Sequence, residues 1–206
     1  MRPHGWSIFC SLLIIGLVTA RIPREYEEVE NQDNYLFTVT EPYMLAYTYQ
    51  MKHAFMLGTH FPDGANKTMK NMDMVLADPI HGCEPLRNHI FAPTVVLMER
   101  GECSFTQKAL NGAKAGASVV MVTDSENREF GLRHQHYVNM IPDESLDRAD
   151  IPCVFVASIS GRYFRDHLEE GGTITLNLPV EKNHAPWVHH QKKAPWEIWQ
   201  DHEYIF

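Results

Sequence analysis

The sequence predicts an α/β domain, and three groups of residues carry that prediction. Residues 95–98 form a continuous apolar run, Arg100-Gly101-Glu102 makes a turn, a helical pattern occupies about 105–115, and residues 119–122 are a second apolar run. Strand, turn, helix, strand is a crossover unit, right-handed where its two strands are parallel neighbours. Residues 151–156, a helical stretch carrying Tyr163, Phe164, His167 and Leu168, and residues 173–178 repeat the alternation. Ahead of both lie aromatic and β-branched stretches that favour strands. Strands therefore come first, and helices interleave with strands later.

Residues 1–20 read as a secretory signal peptide. Arg2 supplies the positive start, residues 8–18 the apolar stretch, and Val18-Thr19-Ala20 a small-residue site for cleavage after Ala20. The apolar run is about 11 residues where roughly 20 are needed to span a bilayer, so the reading is an exported, extracellular product with no membrane span. Residues 21–34 are an acidic lead-in without periodicity.

Residues 35–40 and 43–49 read as strands, with Pro42 breaking the pairing between them. Residues 74–77 make another short strand before Asp78-Pro79. The run at 95–98 suits a strand covered on both faces. Gly101 gives the following turn its backbone freedom. Ser104 stands where an N-cap belongs, ahead of Phe105, Ala109 and Ala113 on one helical face. Gly116 is placed to end that helix in a left-handed cap. Residues 124–150 form a long polar excursion with one apolar island at 137–141, which predicts one short element there. Ser158 or Ser160 is expected to cap the second helix, Gly171-Gly172 to stop it, and residues 173–178 to alternate as a last strand.

The block from Val95 through Arg100-Gly101-Glu102-Cys103-Ser104-Phe105 to Val122 resembles the core of the protease-associated domain. The resemblance covers about residues 70–180. It rests on order and spacing: Cys83, the strand leading to Cys103, the helix, the strand ending near Asp124, Ala149-Asp150-Ile151-Pro152 before a strand, and a helix ending at Gly171. It implies a curved sheet or open β-barrel flanked by about two helices. It also implies a module that contributes contacts rather than chemistry. The chain then divides into a signal peptide at 1–20, N-terminal strands and a loop at 21–69, the domain core at 70–180 and a Trp-rich tail at 181–206.

Four cysteines are present, and Cys10 leaves with the signal. In an oxidising compartment two of Cys83, Cys103 and Cys153 should pair. Cys83 and Cys103 each follow a turn signal, whereas Cys153 lies inside a predicted strand, where a small buried thiol is the plain reading. Spacing alone leaves the other pairings open. The family resemblance favours Cys83 with Cys103, a closure that stabilises by roughly 3 kcal/mol in the chain-entropy model. Asn66-Lys67-Thr68 is the one N-x-Ser/Thr sequon, in a stretch with turn signals, so Asn66 is expected to carry a glycan.

The chain carries 18 basic and 26 acidic residues, a formal charge of −8. Loss of Arg2 with the signal takes it to about −9. That balance argues against a nucleic-acid partner, since phosphate binding needs clustered Lys and Arg. No G-x-S-x-G, H-E-x-x-H, C-x-x-C or Walker-type loop occurs. No catalytic, cofactor-binding or metal-binding residue is assigned. Twelve histidines, with His134 and His136 on one side of a strand and His184, His189 and His190 near the end, leave metal or pH sensing as a secondary idea. Trp187, Trp196 and Trp199 are the candidate interaction surface. The competing reading folds these residues back onto the domain.

The preferred function is a secreted, glycosylated, non-catalytic protein that binds a protein partner through this domain, with homodimerisation open. A soluble ligand carrier or metal-responsive factor is the alternative.

Overall fold

The computed structural model describes residues 34–61, 68–124, 137–145, 147–180 and 192–198. Residues 1–20, Asn66, the histidine groups at 134–136 and 184–190, Trp187 and Trp199 lie outside them. The strands are β1 (Asn34–Glu41), β2 (Thr48–His53), β3 (Met69–Leu76), β4 (Thr94–Glu99), β5 (Val119–Thr123), β6 (Cys153–Val156) and β7 (Ile174–Val180). Two helices, α1 (Phe105–Lys114) and α2 (Ser158–Glu169), lie among them.

The strands close into a barrel in the order β1-β2-β6-β5-β4-β3-β7. The resemblance left an open barrel possible, and β7 closes it by pairing antiparallel with both β1 and β3. Strands β3, β4, β5 and β6 are parallel neighbours, so their carboxyl ends share one end of the barrel. The barrel takes in β1 and β2, which precede residue 70.

Burial on both sheet faces explains the uninterrupted apolar runs of the parallel strands. Val95, Leu97, Val119, Met121, Val154 and Val156 belong to one buried cluster with Phe37, Tyr49, Leu176 and, from α2, Phe164. Val96, Met98, Val120, Val122 and Phe155 belong to a second, with Ala109 of α1. Ser104 caps α1 as its sequence predicts, accepting from the Gln107 amide at 3.1 Å. Gly116 lies beyond the helix end at φ +93°.

Three local expectations change. Residues 43–49 divide into a 3₁₀ turn, Tyr43–Leu45, and the start of β2. The Leu45 amide reaches back to the Pro42 carbonyl, which puts Leu45 in the core and leaves Tyr43 outside. The apolar island at 137–141 forms no regular element. Single contacts hold it instead: the Tyr137 hydroxyl donates to the Gln50 carbonyl at 3.2 Å, and Met140 is buried. Neither Ser158 nor Ser160 caps α2, because the N-cap is Ala157 and offers no side-chain bond. Ser160 lies inside the helix and is used elsewhere.

Its partner is the tail. Residues 192–198 run along β2, with the Thr48 amide donating to the Lys192 carbonyl at 2.8 Å and the Ala194 amide to the Thr48 carbonyl at 3.2 Å. Trp196 packs on Tyr163 at 4.5 Å and Tyr47 at 5.3 Å between ring centroids, and its indole donates to Ser160 Oγ. Glu197 is 4% exposed. Its carboxylate accepts from the Ser160 hydroxyl at 2.6 Å and from the Gln50 amide at 3.0 Å. For this segment the fold-back reading holds, and Trp196 covers the domain.

A buried carboxylate held by two donors ties this segment to strand β2 and helix α2. Glu197→Ala leaves the Ser160 hydroxyl and the Gln50 amide without it. Tryptic cleavage at Lys192 and Lys193 is expected to be several-fold faster in that variant than in the wild type. Equal rates would show that the carboxylate does not hold the segment down.

Candidate functional site

The turn after β4 is built from both sides. Cys83 and Cys103 are joined, with Cα atoms 5.6 Å apart, so the turn following β3 is tied to the turn following β4. Gly101 holds φ +111°, a value that favours glycine. Beneath them the fully buried Lys108 of α1 donates to the Gly101 carbonyl at 2.8 Å and to the His81 carbonyl. Asn111, one turn along, donates to the Gly82 carbonyl at 2.9 Å. One helix face therefore satisfies the carbonyls of both turns.

Burial pulls the Lys108 ammonium down to about 8, against the opposing pull of Glu102 and Glu99. Cys153, the remaining thiol, is 1% exposed, and burial pushes it up to about 12. That is the inert buried cysteine its position in a strand suggests.

On the outer side the turn faces the irregular segment 137–145. Ser104 donates to Asp143 Oδ2 at 2.6 Å, and the Asp143 amide donates to Thr106 Oγ1 at 3.0 Å. Hydrogen bonds from Ser104 and then Ser145 hold the half-buried Asp143 carboxyl below the usual carboxylate range. Between the two segments opens a concavity of about 430 Å³, lined by residues 100–105 with Ile141, Pro142 and Asp143. A second, of about 260 Å³, lies between residues 52–56 and 138–141. Ile141 lines both and is 70% exposed. Phe55 and Met56 add further exposed apolar surface beside it. Arg100, at the rim, reaches Asp124 across 3.5 Å.

This surface can offer apolar contacts and a guanidinium to a ligand. Trp196, offered by the sequence as part of an interaction surface, lines neither concavity. Sequence reading missed Ile141 as a surface residue because an apolar island reads as an element to be buried; its neighbours Asn139 and Pro142 were the available signal against a strand. It also missed Lys108, whose signal is its place on the helix flank beside Asn111 and Gly112. Among the described residues no three His, Cys, Asp or Glu side chains gather to hold a metal. No helix of the described residues is long and apolar enough to cross a membrane.

A closed mixed barrel flanked by two helices, with a disulfide tying the turns after β3 and β4, defines the class. Residues 70–163 match the family model of the PA domain. Those residues carry a PA domain. It is similar to a PRADC1-like protein of Drosophila melanogaster, 29% identical over 198 residues that cover 89% of this chain and 97% of the relative. It is also similar to vacuolar-sorting receptor 7 of Arabidopsis thaliana, 27% identical over 52% of this chain and 17% of the receptor. The E3 ubiquitin-protein ligase RNF13 of Bos taurus is 27% identical over 56% of this chain and 32% of the ligase. The chain thus spans nearly all of the Drosophila relative and about a third or less of the other two. Among solved structures, an aminopeptidase from Aneurinibacillus sp. strain AM-1 aligns with a TM-score of 0.46 at 15% identity, covering 77% of this chain and 39% of that one.

Lys108→Met removes the donor to two turn carbonyls, and the variant is expected to be about 1–3 kcal/mol less stable near neutral pH. The lowered lysine pKa adds a pH signature. Between about 8 and 10 the unfolded chain keeps the proton that the folded chain has released, so wild-type stability rises with pH by up to about 1.4 kcal/mol per unit. The variant lacks this term. Chemical denaturation should therefore show the gap widening above pH 8, and a constant gap would mean that the amine is not desolvated.

Proposed function

We propose that this chain is a secreted, non-catalytic glycoprotein that binds a protein partner through its PA domain, with the surface around Ile141 as the contact. One observation carries the reading. Two concavities meet at an exposed isoleucine, flanked by Phe55, Met56 and an arginine at the rim. Exposed apolar side chains that converge on concave surface, with a guanidinium beside them, are the composition of protein-interaction hot spots. The signal-like residues 1–20 and the sequon at Asn66 support export and a glycan. The disulfide fits the same oxidising route. The acidic balance of the chain disfavours nucleic acid. The proposed organisation is a domain core at 70–180 completed by the N-terminal strands of 21–69, followed by a tail at 181–206.

The test is cross-linking and mass spectrometry on the protein secreted from its own cells, beside Ile141→Asp and Arg100→Glu. Both side chains are substantially exposed, so folding should survive. A recurrent partner reduced about tenfold or more in the variants, the size expected of a lost interface anchor, supports the reading; if that partner is the chain itself, the module is a homodimer. A partner recovered equally with all three forms overturns the assignment of this surface.

A further inference from the structure

The parallel strands β4, β5 and β6 end together, and in parallel α/β sheets, open or closed, ligands gather at such carboxyl ends. Here Glu99 and Thr123, the last residues of β4 and β5, and Asp124 enclose a small space with Ser158, Ile159, Gly161, Arg162 and Arg165 of α2, which follows β6. The space is about 10 Å³, room for one water molecule or one oxygen atom.

Two independent features point to what it takes. The first is the start of α2, a helix of 12 residues whose N-cap Ala157 gives no side-chain bond. The first amides of a helix have no intrahelical partner, and the helix dipole makes that end attractive to anions. The second is Thr123. It is 3% exposed, its hydroxyl has no hydrogen-bond partner among the described residues, and it lines the same space. A buried hydroxyl left unbonded is costly, so a hydroxyl in this state marks a place for a ligand atom or a water.

The acids at the site do not cancel this. Glu99 is held by Arg165 at 2.5 Å, and Asp124 by Arg100 at 3.5 Å. Arg162 stands on the same wall. The first turn of α2 already takes one carboxylate from within the chain, since Ser160 binds Glu197.

We propose that the start of α2 binds a carboxylate of the partner, with one oxygen seated between the Thr123 hydroxyl and the amides of Ser158 and Ile159, and Arg162 beside it. This deepens the interaction reading above and rests on it for the identity of the ligand as part of a protein. An acidic side chain and a chain terminus share this chemistry.

The test is an amide NMR titration of the full mature chain with three probes: acetate, N-acetylglycine for a chain terminus, and N-acetylglutamate α-amide, whose only carboxylate is the γ-carboxylate, for a side chain. Chloride replaces each probe at equal ionic strength in the control. Saturable shifts at Ser158 and Ile159 with acetate are expected. Whichever of the other two probes binds more tightly identifies the source. Thr123→Val keeps the shape and removes the hydroxyl, so the protein should stay folded while acetate affinity falls about tenfold, the scale of one hydrogen bond to a charged group. Arg162→Gln should weaken binding in the same direction. A wild type without saturable shifts overturns the proposal and assigns the space to a water. So do Thr123→Val and Arg162→Gln forms that bind acetate as the wild type does. A partner captured through Ile141 with no acetate response sinks this inference alone. Acetate binding with no protein partner sinks the interaction reading and leaves the anion site.

Discussion

The double pairing of β7 is the constraint on which the rest of the structure depends. Ile174, Leu176 and Leu178 are buried in the interior cluster while Thr175 and Asn177 are only partly covered, so one strand of alternating sequence joins β1 to β3. Without it the sheet would present two unpaired edges, a standing template for aggregation. With it, β3 to β6 are fixed as a parallel group, and every loop that leaves their carboxyl ends is brought to one end of the barrel. The disulfide, the Arg100 turn and the start of α2 all owe their proximity to that geometry.

Much of this was legible because the period of the sequence matches the burial it meets. The run at 95–98 is apolar at every position because one face packs inward and the other lies in the cluster that includes α1. Ser104 caps α1 because its oxygen can accept from the Gln107 amide while its proton goes to Asp143. Where tertiary contacts decide a residue's position, local rules give the wrong answer. Ser160 looks like a cap and is instead the donor to Glu197, 37 residues away. Residues 43–47 have strand composition, yet burying Leu45 at a corner requires a turn. Closure of the barrel was not legible, since a strand with two neighbours reads the same as a strand with one.

The candidate site was legible in its frame and not in its surface. Cys83 and Cys103 follow turn signals, and the Arg100-Gly101 turn stands out between strand and helix. Lys108 did not stand out, because a lysine on a helix is ordinarily solvated and only the three-dimensional meeting of two turns gives its ammonium carbonyls to bind. Ile141 shows the reverse error. An apolar residue in a polar excursion suggests burial, but the segment has no strand neighbour to cover it, and it stays at the junction of two concavities. The sequence offers Trp196 as an anchor for a partner; its ring instead lies against Tyr163 and Tyr47, a place already supplied with aromatic neighbours.

These opposite roles of Ile141 and the tail separate the account from its main rival. Both Ile141 and Ile198 are exposed, at 70% and 65%, so a photoreactive amino acid can be placed at either position without disturbing a buried contact. Illumination of the protein expressed in its own cells is then the most direct measurement. A partner protein attached to the residue at position 141, and not to the one at 198, is the result predicted here. Attachment at 198 alone would place the interaction on the tail and contradict the account.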